Sequence, residues 1–76
     1  MDLIQRIESS KIGAYKFGVS LTRSLGYENL FRNTGLAETR KALAHIQQSN
    51  AGWSDYNLAQ KAAFYVGAIQ TLGFDL

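Results

Sequence analysis

The chain has no cysteine and no proline, and both absences limit what it can be. Without cysteine, a disulfide framework and a thiolate metal site are excluded, and we expect a cytoplasmic location. Without proline, no helix-like run in the sequence is interrupted by a residue that breaks helices.

Long hydrophobic runs are also missing. The longest run without a polar residue is Ala62 to Ile69, eight residues, whereas a membrane-spanning helix needs about 20. The N-terminal segment MDLIQRIESS mixes charged and apolar residues, so it lacks the apolar core of a signal peptide. The sequence therefore predicts a soluble protein that does not associate with membranes.

Groups that carry chemistry are few. There is a single histidine, and the six Asp and Glu residues are scattered, with no pair at helical spacing that could serve as an acid–base couple or a cation cage. His45 follows Lys41 by one helical turn and has no carboxylate to orient it, which predicts a solvated surface histidine. We expect no catalytic residue, no cofactor and no metal, and hence a protein that is not an enzyme.

The length and composition predict one small domain over residues 1–76. The hydrophobic fraction is 46% and the charged fraction is 18%, which is enough apolar material to fold and too little charge for a disordered tail. A core of this size gives marginal stability, so we expect oligomerisation or a partner to contribute.

Residues 14–27 fit two secondary structures. Apolar residues alternate over 14–21, as in a half-buried strand, but SLGY at 24–27 resembles TLGF at 71–74. A glycine followed by an aromatic residue commonly ends a helix, and no second strand exists to pair with the first. We therefore predict helix for this stretch.

The C-terminal segment carries the clearest helix pattern, and we predict a helix over 55–72. Ser54 is a candidate N-cap, with Trp53 and Leu58 placed to form a hydrophobic staple. One apolar stripe at helical spacing is the predicted buried face: Leu58, Ala62, Tyr65, Ile69 and Leu72.

Three further helices are predicted, over 2–9, 11–25 and 35–48. Ser9 or Ser10 is expected to break or bend the chain between the first two, and Gly13 and Gly18 are expected at close helix crossings. The third is expected to start at Asn33 or Thr34 as its cap and to bury Leu36, Leu43 and Ile46. The fold class is all-α, a compact four-helix domain, with two helical hairpins as one possible arrangement.

Aromatic residues at predicted surface positions suggest binding to a protein. Phe64 has polar neighbours at helical spacing, so it is a candidate exposed anchor unless the connection between the second and third helices covers it. That connection is itself rich in interface-type residues, which could instead roof the core: Tyr27, Leu30, Phe31 and Arg32.

Small residues form a second face of the last helix. They would allow close packing against the second helix or against another copy of the chain. The residues are Ala59, Ala63, Val66 and Gln70.

Positive charge is concentrated in the first half of the chain, where it forms either a solvated basic face or a surface that contacts phosphates. The candidates are Lys11, Lys16, Arg23, Arg40 and Lys41.

We favour a protein that binds another protein or itself, as an accessory regulator, adaptor, inhibitor or homo-oligomer. The alternative is weak nucleic-acid binding, or transcriptional regulation, through the basic face.

Overall fold

The computed structural model describes the backbone of residues 3–74 and the side chains of residues 10–74. This part of the chain contains helices and turns but no strand, which confirms the predicted all-α class. Its four α-helices and one short 3-10 turn are α1 (Leu3–Ser24), α2 (Leu30–Thr34), α3 (Leu36–Gln48), the turn Trp53–Asp55 and α4 (Leu58–Leu72).

Helix α1 is continuous for 22 residues, so the predicted pair of helices over 2–9 and 11–25 is wrong. Ser9 and Ser10 stand in its interior without interrupting it. Serine costs only a few tenths of a kcal/mol in a helix, and neither proline nor glycine occurs at this point of the chain. The stretch 14–21, which could also be read as a strand, is helical as predicted.

The predicted helix ends at Gly26 and at Gly73 are both confirmed. Gly26 has φ of 81°, its N–H donates to the Arg23 carbonyl at 3.0 Å, and the Tyr27 N–H donates to the Thr22 carbonyl at 3.1 Å. These two bonds define a Schellman motif, which needs a left-handed residue that glycine adopts without strain. Gly73, with φ of 112°, ends α4 with the same pattern of bonds.

The backbones of α1 and α4 come into direct contact where these two helices cross. A Cβ atom on Gly18 would collide with the carbonyl oxygen of Phe64, and one on Gly67 would collide with the carbonyl oxygen of Tyr15. The two backbones therefore touch where both helices lack a side chain. Gly18 lies at a crossing as predicted, whereas Gly13 faces open space and does not.

The contacts at the helix ends define the topology. The Asn29 N–H, just after α1, donates to the Thr71 carbonyl at 2.9 Å, and Phe31 stacks on Phe74 with ring centroids 4.1 Å apart. The C-terminal ends of α1 and α4 therefore lie together, and these helices run parallel. Helix α3 returns in the opposite direction and forms a hairpin with α4. The first of the two possible hairpins does not exist, because α1 is one helix.

The start of α4 differs from the prediction. Its N-cap is Asn57, whose side chain accepts from the Gln60 N–H at 2.8 Å, while the Gln60 side chain accepts from the Asn57 N–H at 2.9 Å. This reciprocal pair is a capping box. Ser54 lies in the 3-10 turn instead, and Leu58 is 83% exposed, so the predicted staple does not form.

The buried face of α4 is rotated from the predicted stripe. Phe64, Gly67, Ala68 and Leu72 are buried, whereas Ala62 is exposed. Gly67 faces α1, because only a residue without a side chain allows the two backbones to approach. Phe64, Ala68 and Leu72 are buried with it and belong to the core. Of the predicted stripe, Leu72 alone is buried.

Helix α3 also differs in detail. Gly35 precedes its first residue in place of the expected caps Asn33 and Thr34, and Leu36 is 55% exposed. Ile46 is buried as predicted, together with Thr39, whose hydroxyl donates to the carbonyl of Gly35 at 2.7 Å. Leu43 is half-buried at the edge of the core.

The contact between α1 and α4 predicts that a glycine-to-alanine substitution has opposite effects on stability at Gly18 and at Gly13. Gly18→Ala should lower the free energy of unfolding by about 1–3 kcal/mol, because the added methyl forces the two backbones apart. Gly13→Ala should raise it by up to about 1 kcal/mol, because alanine is the better helix former and this glycine faces open space. Urea unfolding followed by circular dichroism measures both, and equal stabilisation by the two changes would contradict the crossing.

The capping box predicts a second matched pair. Asn57→Ala should reduce the free energy of unfolding by about 1 kcal/mol, since one helix N–H loses its acceptor. Ser54→Ala should change it by less than about 0.5 kcal/mol, because Ser54 is exposed and does not cap α4. The same unfolding experiment measures both variants. A larger loss of stability for Ser54→Ala than for Asn57→Ala would show that Ser54 caps α4.

Candidate protein-binding groove

Phe64 is the centre of the core rather than an exposed anchor. Its exposed fraction is 0%, and its ring lies 5.6 Å from that of Trp53, 5.9 Å from that of Phe17 and 6.2 Å from that of Tyr56. Of the two alternatives for Phe64, the exposed anchor is therefore wrong and the covered side chain is correct. Its cover comes from α1 and from the segment before α4, because Phe64 lies beside the crossing where these parts meet.

The connection between α1 and α3 covers one end of the core. Tyr27 and Leu30 pack against the buried residues, and Phe31 is held by its stack on Phe74. Arg32 is exposed and its side chain lies beside Gly73. The aromatic residues of this segment thus roof the core and are engaged within the domain.

His45 is exposed, as expected, but it is not isolated. Its Nδ1 lies 2.8 Å from the hydroxyl of Tyr27, within hydrogen-bond distance, and the two rings meet edge to face. This bond ties α3 to the segment that follows α1. Within the described part of the chain, no group of three or more His, Cys, Asp or Glu side chains is arranged to hold a metal ion.

The basic candidates on α1 do not share one face. Lys16 and Arg23 are about 20° apart around the helix and both are exposed. Lys11 is about 140° from Lys16 and is half-buried. Arg23 is also neutralised by Glu28, whose carboxylate oxygen lies 2.6 Å from its Nε.

On α3 the two basic candidates diverge as well. Lys41 pairs with Glu38 across one turn at 3.6 Å, on the exposed side of the helix. Arg40 is about 100° away and borders the surface between α3 and α4. The five cations therefore form no single patch on this fold.

The predicted small-residue face of α4 contributes less to packing than expected. Ala59 and Ala63 are half-buried, Val66 is 38% exposed, and Gln70 accepts a hydrogen bond of 2.5 Å from the Tyr15 hydroxyl. The close approach to α1 is made by Gly67 instead.

A polar cleft lies between the C-terminal halves of α1 and α4. Its volume is about 470 Å³, and its charged groups, Arg23 and Glu28, bind each other. Tyr15 and Gln70 are likewise engaged with one another. Since these groups satisfy one another's charges and hydrogen bonds, the cleft offers few free groups to a ligand.

An apolar groove runs along the outer side of the α3–α4 hairpin. It consists of two neighbouring cavities, of about 230 Å³ and 300 Å³, which share Arg40 and Leu43. We call it the α3–α4 groove. The first cavity is completed by Leu36, Thr39, Ile69, Leu72 and Phe74, and the second by Ala44, Gln47 and Tyr65.

Several apolar residues that were expected in the core line the groove instead. Tyr65 and Ile69 belong to the predicted stripe of α4, and Leu36 and Leu43 to the predicted inward face of α3. Their helical spacing correctly marked an apolar surface on each helix. The two surfaces border an open groove because the glycine crossing turns the centre of α4 toward α1.

Among the described residues that line the groove, Arg40 is the one cation. Across the described residues its guanidinium has no ion pair or hydrogen bond, although the neighbouring Lys41 is paired with Glu38. An unpaired guanidinium beside an apolar surface is suited to binding a carboxylate, because arginine is more weakly hydrated than lysine and offers a planar fork of donors.

No protein family, curated protein or solved structure matches the chain. Over residues 3–74, no helix is both long enough and apolar enough to cross a membrane.

Burial of Phe64 predicts a severe effect of its truncation. Phe64→Ala should remove about 3–5 kcal/mol of stability, as removal of a buried aromatic side chain does. A domain of this size has little more than that in total, so the variant should be largely unfolded. Leu58→Ala, at an 83% exposed leucine, should leave the domain folded. Thermal unfolding by circular dichroism compares them, and a fully folded Phe64→Ala variant would contradict the observed core.

Proposed function

We propose that the protein acts by binding another protein, with the α3–α4 groove as its binding surface and no catalytic role. The observation that carries this proposal is an apolar groove beside Arg40, whose guanidinium has no partner among the described residues. An accessory regulator, adaptor or inhibitor would work in this way, by occupying a site on a larger partner. A cytoplasmic location stays a prediction.

The residue types of the groove support this proposal. Tyr65 and Phe74 contribute aromatic surface, and Arg40 contributes the charged residue most enriched at interfaces. Apolar residues at the centre with an arginine at the edge reproduce the usual anatomy of a binding hot spot. The exposed Leu36 adds apolar surface at one end.

The alternative of nucleic-acid binding has less support. Two of the five basic candidates, Arg23 and Lys41, are paired with carboxylates, and the others point in different directions. Phosphate recognition depends on several cations that act together along a backbone. Self-association through the groove remains a form of the proposal, with a second copy as the partner.

Two leucines provide a matched pair of variants. Leu36 and Leu58 each occupy the first position of a helix and each is exposed, but only Leu36 lines the groove. The wild type and the two variants are each immobilised and exposed to a lysate of the native host. The Leu36→Ser variant should fail to retain a protein that the wild type and the Leu58→Ser variant both retain. Mass spectrometry of the retained proteins measures this difference.

Two results would contradict the proposal. If Leu36→Ser and Leu58→Ser retain the same proteins as the wild type, the groove is not the binding surface. If nucleic acid is retained instead, and is released steeply between about 50 and 200 mM salt, the alternative is favoured. Light scattering from about 1 to 300 μM shows whether a second copy of the chain is the partner.

A further inference from the structure

The two cavities of the α3–α4 groove repeat along α3. The first is lined from α3 by Leu36, Thr39, Arg40 and Leu43, and the second by Arg40, Leu43, Ala44 and Gln47. The second set is the first displaced by four residues, which corresponds to about 6 Å along the helix axis. The groove therefore offers two similar apolar cavities one helical turn apart.

Each cavity can hold one large side chain. An apolar cavity of about 150 Å³ accommodates a benzene ring, and these measure about 230 Å³ and 300 Å³. From Leu36 to Gln47 the groove extends for about 16 Å, the length of three helical turns. An α-helix laid along it would direct side chains at positions i and i+4, or i and i+3, into the two cavities.

Arg40 adds a charge requirement. It lines both cavities, so it lies beside the interval between them, and it has no partner within the described part of the chain. With the two apolar residues at i and i+4, a carboxylate at position i+1 or i+3, depending on the direction of the incoming helix, would lie on the α3 side and could pair with the guanidinium. A basic or neutral residue at this point would leave Arg40 uncompensated.

We propose that the groove binds an amphipathic α-helix of a partner protein, about three turns long, with two large apolar residues one turn apart and an acidic residue between them. This inference rests on the proposed function and specifies its partner. An extended strand is a poorer occupant, because α3 and α4 present side chains and no free backbone edge.

A phage-displayed library of 16-residue helical peptides, randomised along one face, tests the inference on the full chain. Selection on the wild-type protein should enrich peptides with two large apolar residues at i and i+3 or i+4, and with Asp or Glu between them. Synthetic peptides from the enriched pool are then titrated by fluorescence anisotropy.

Charge reversal at two neighbouring residues of α3 separates specific pairing from general attraction. Arg40→Glu should weaken binding of an acidic peptide by about fivefold to tenfold, and replacing the peptide's acidic residue by Lys should restore much of it. Lys41→Glu makes the same change in net charge outside the groove and should alter the affinity less than about twofold. Circular dichroism confirms that both variants are folded.

Three results would overturn the inference. They are a selection without enrichment, enriched peptides that show no acidic preference, and equal effects of Arg40→Glu and Lys41→Glu. If host proteins are nevertheless lost by Leu36→Ser, the proposed function stands while the helical partner is wrong. A dimer that Leu36→Ser dissociates would identify a second copy of the chain as the occupant, and would equally overturn binding to a partner's helix.

Discussion

The backbone contact between α1 and α4 is the constraint on which the rest of the structure depends. Gly18 and Gly67 each lie against the main chain of the other helix, so both helices must face each other at these positions. Any side chain there would separate the backbones. This contact sets the rotation of α4 about its own axis, and it places Phe64 in the core beside the crossing. A 76-residue chain with a small core thus uses close packing of its backbone to fix the arrangement of its helices.

The parallel arrangement of α1 and α4 determines the path of the rest of the chain. Their two Schellman ends lie at the same end, where the chain after Gly26 bonds to Thr71 and Phe31 stacks on Phe74. Helix α3 must then return along the free side of α4. Tyr27 and His45 hold α3 to the segment that leaves α1. The hairpin of α3 and α4 is left with one outer side that no other described part of the chain covers.

The polar cleft and the α3–α4 groove differ in which of their described groups lack a partner. In the polar cleft between α1 and α4, Arg23 bonds to Glu28 and Tyr15 bonds to Gln70. In the α3–α4 groove the lining is apolar, and the single guanidinium of Arg40 has no partner among the described residues. Binding energy comes from apolar surface that remains to be buried and from charge that remains to be paired, and the groove has both. This contrast favours the groove over the polar cleft as the proposed binding surface.

Local chemistry in the sequence determined the helical class, the glycine ends of α1 and α4, and the presence of apolar stripes on α3 and α4. These features depend on backbone conformation and side-chain spacing within a few residues, so they can be recognised without a fold. Only the tertiary structure decided that Phe64 is buried, that Tyr65 and Ile69 border a groove, and that Asn57 caps α4 in place of Ser54. On a helix with apolar residues on several sides, the buried side is chosen by which neighbour can approach most closely. Here that choice was made by two glycines 49 positions apart in the sequence, and no local pattern pairs them.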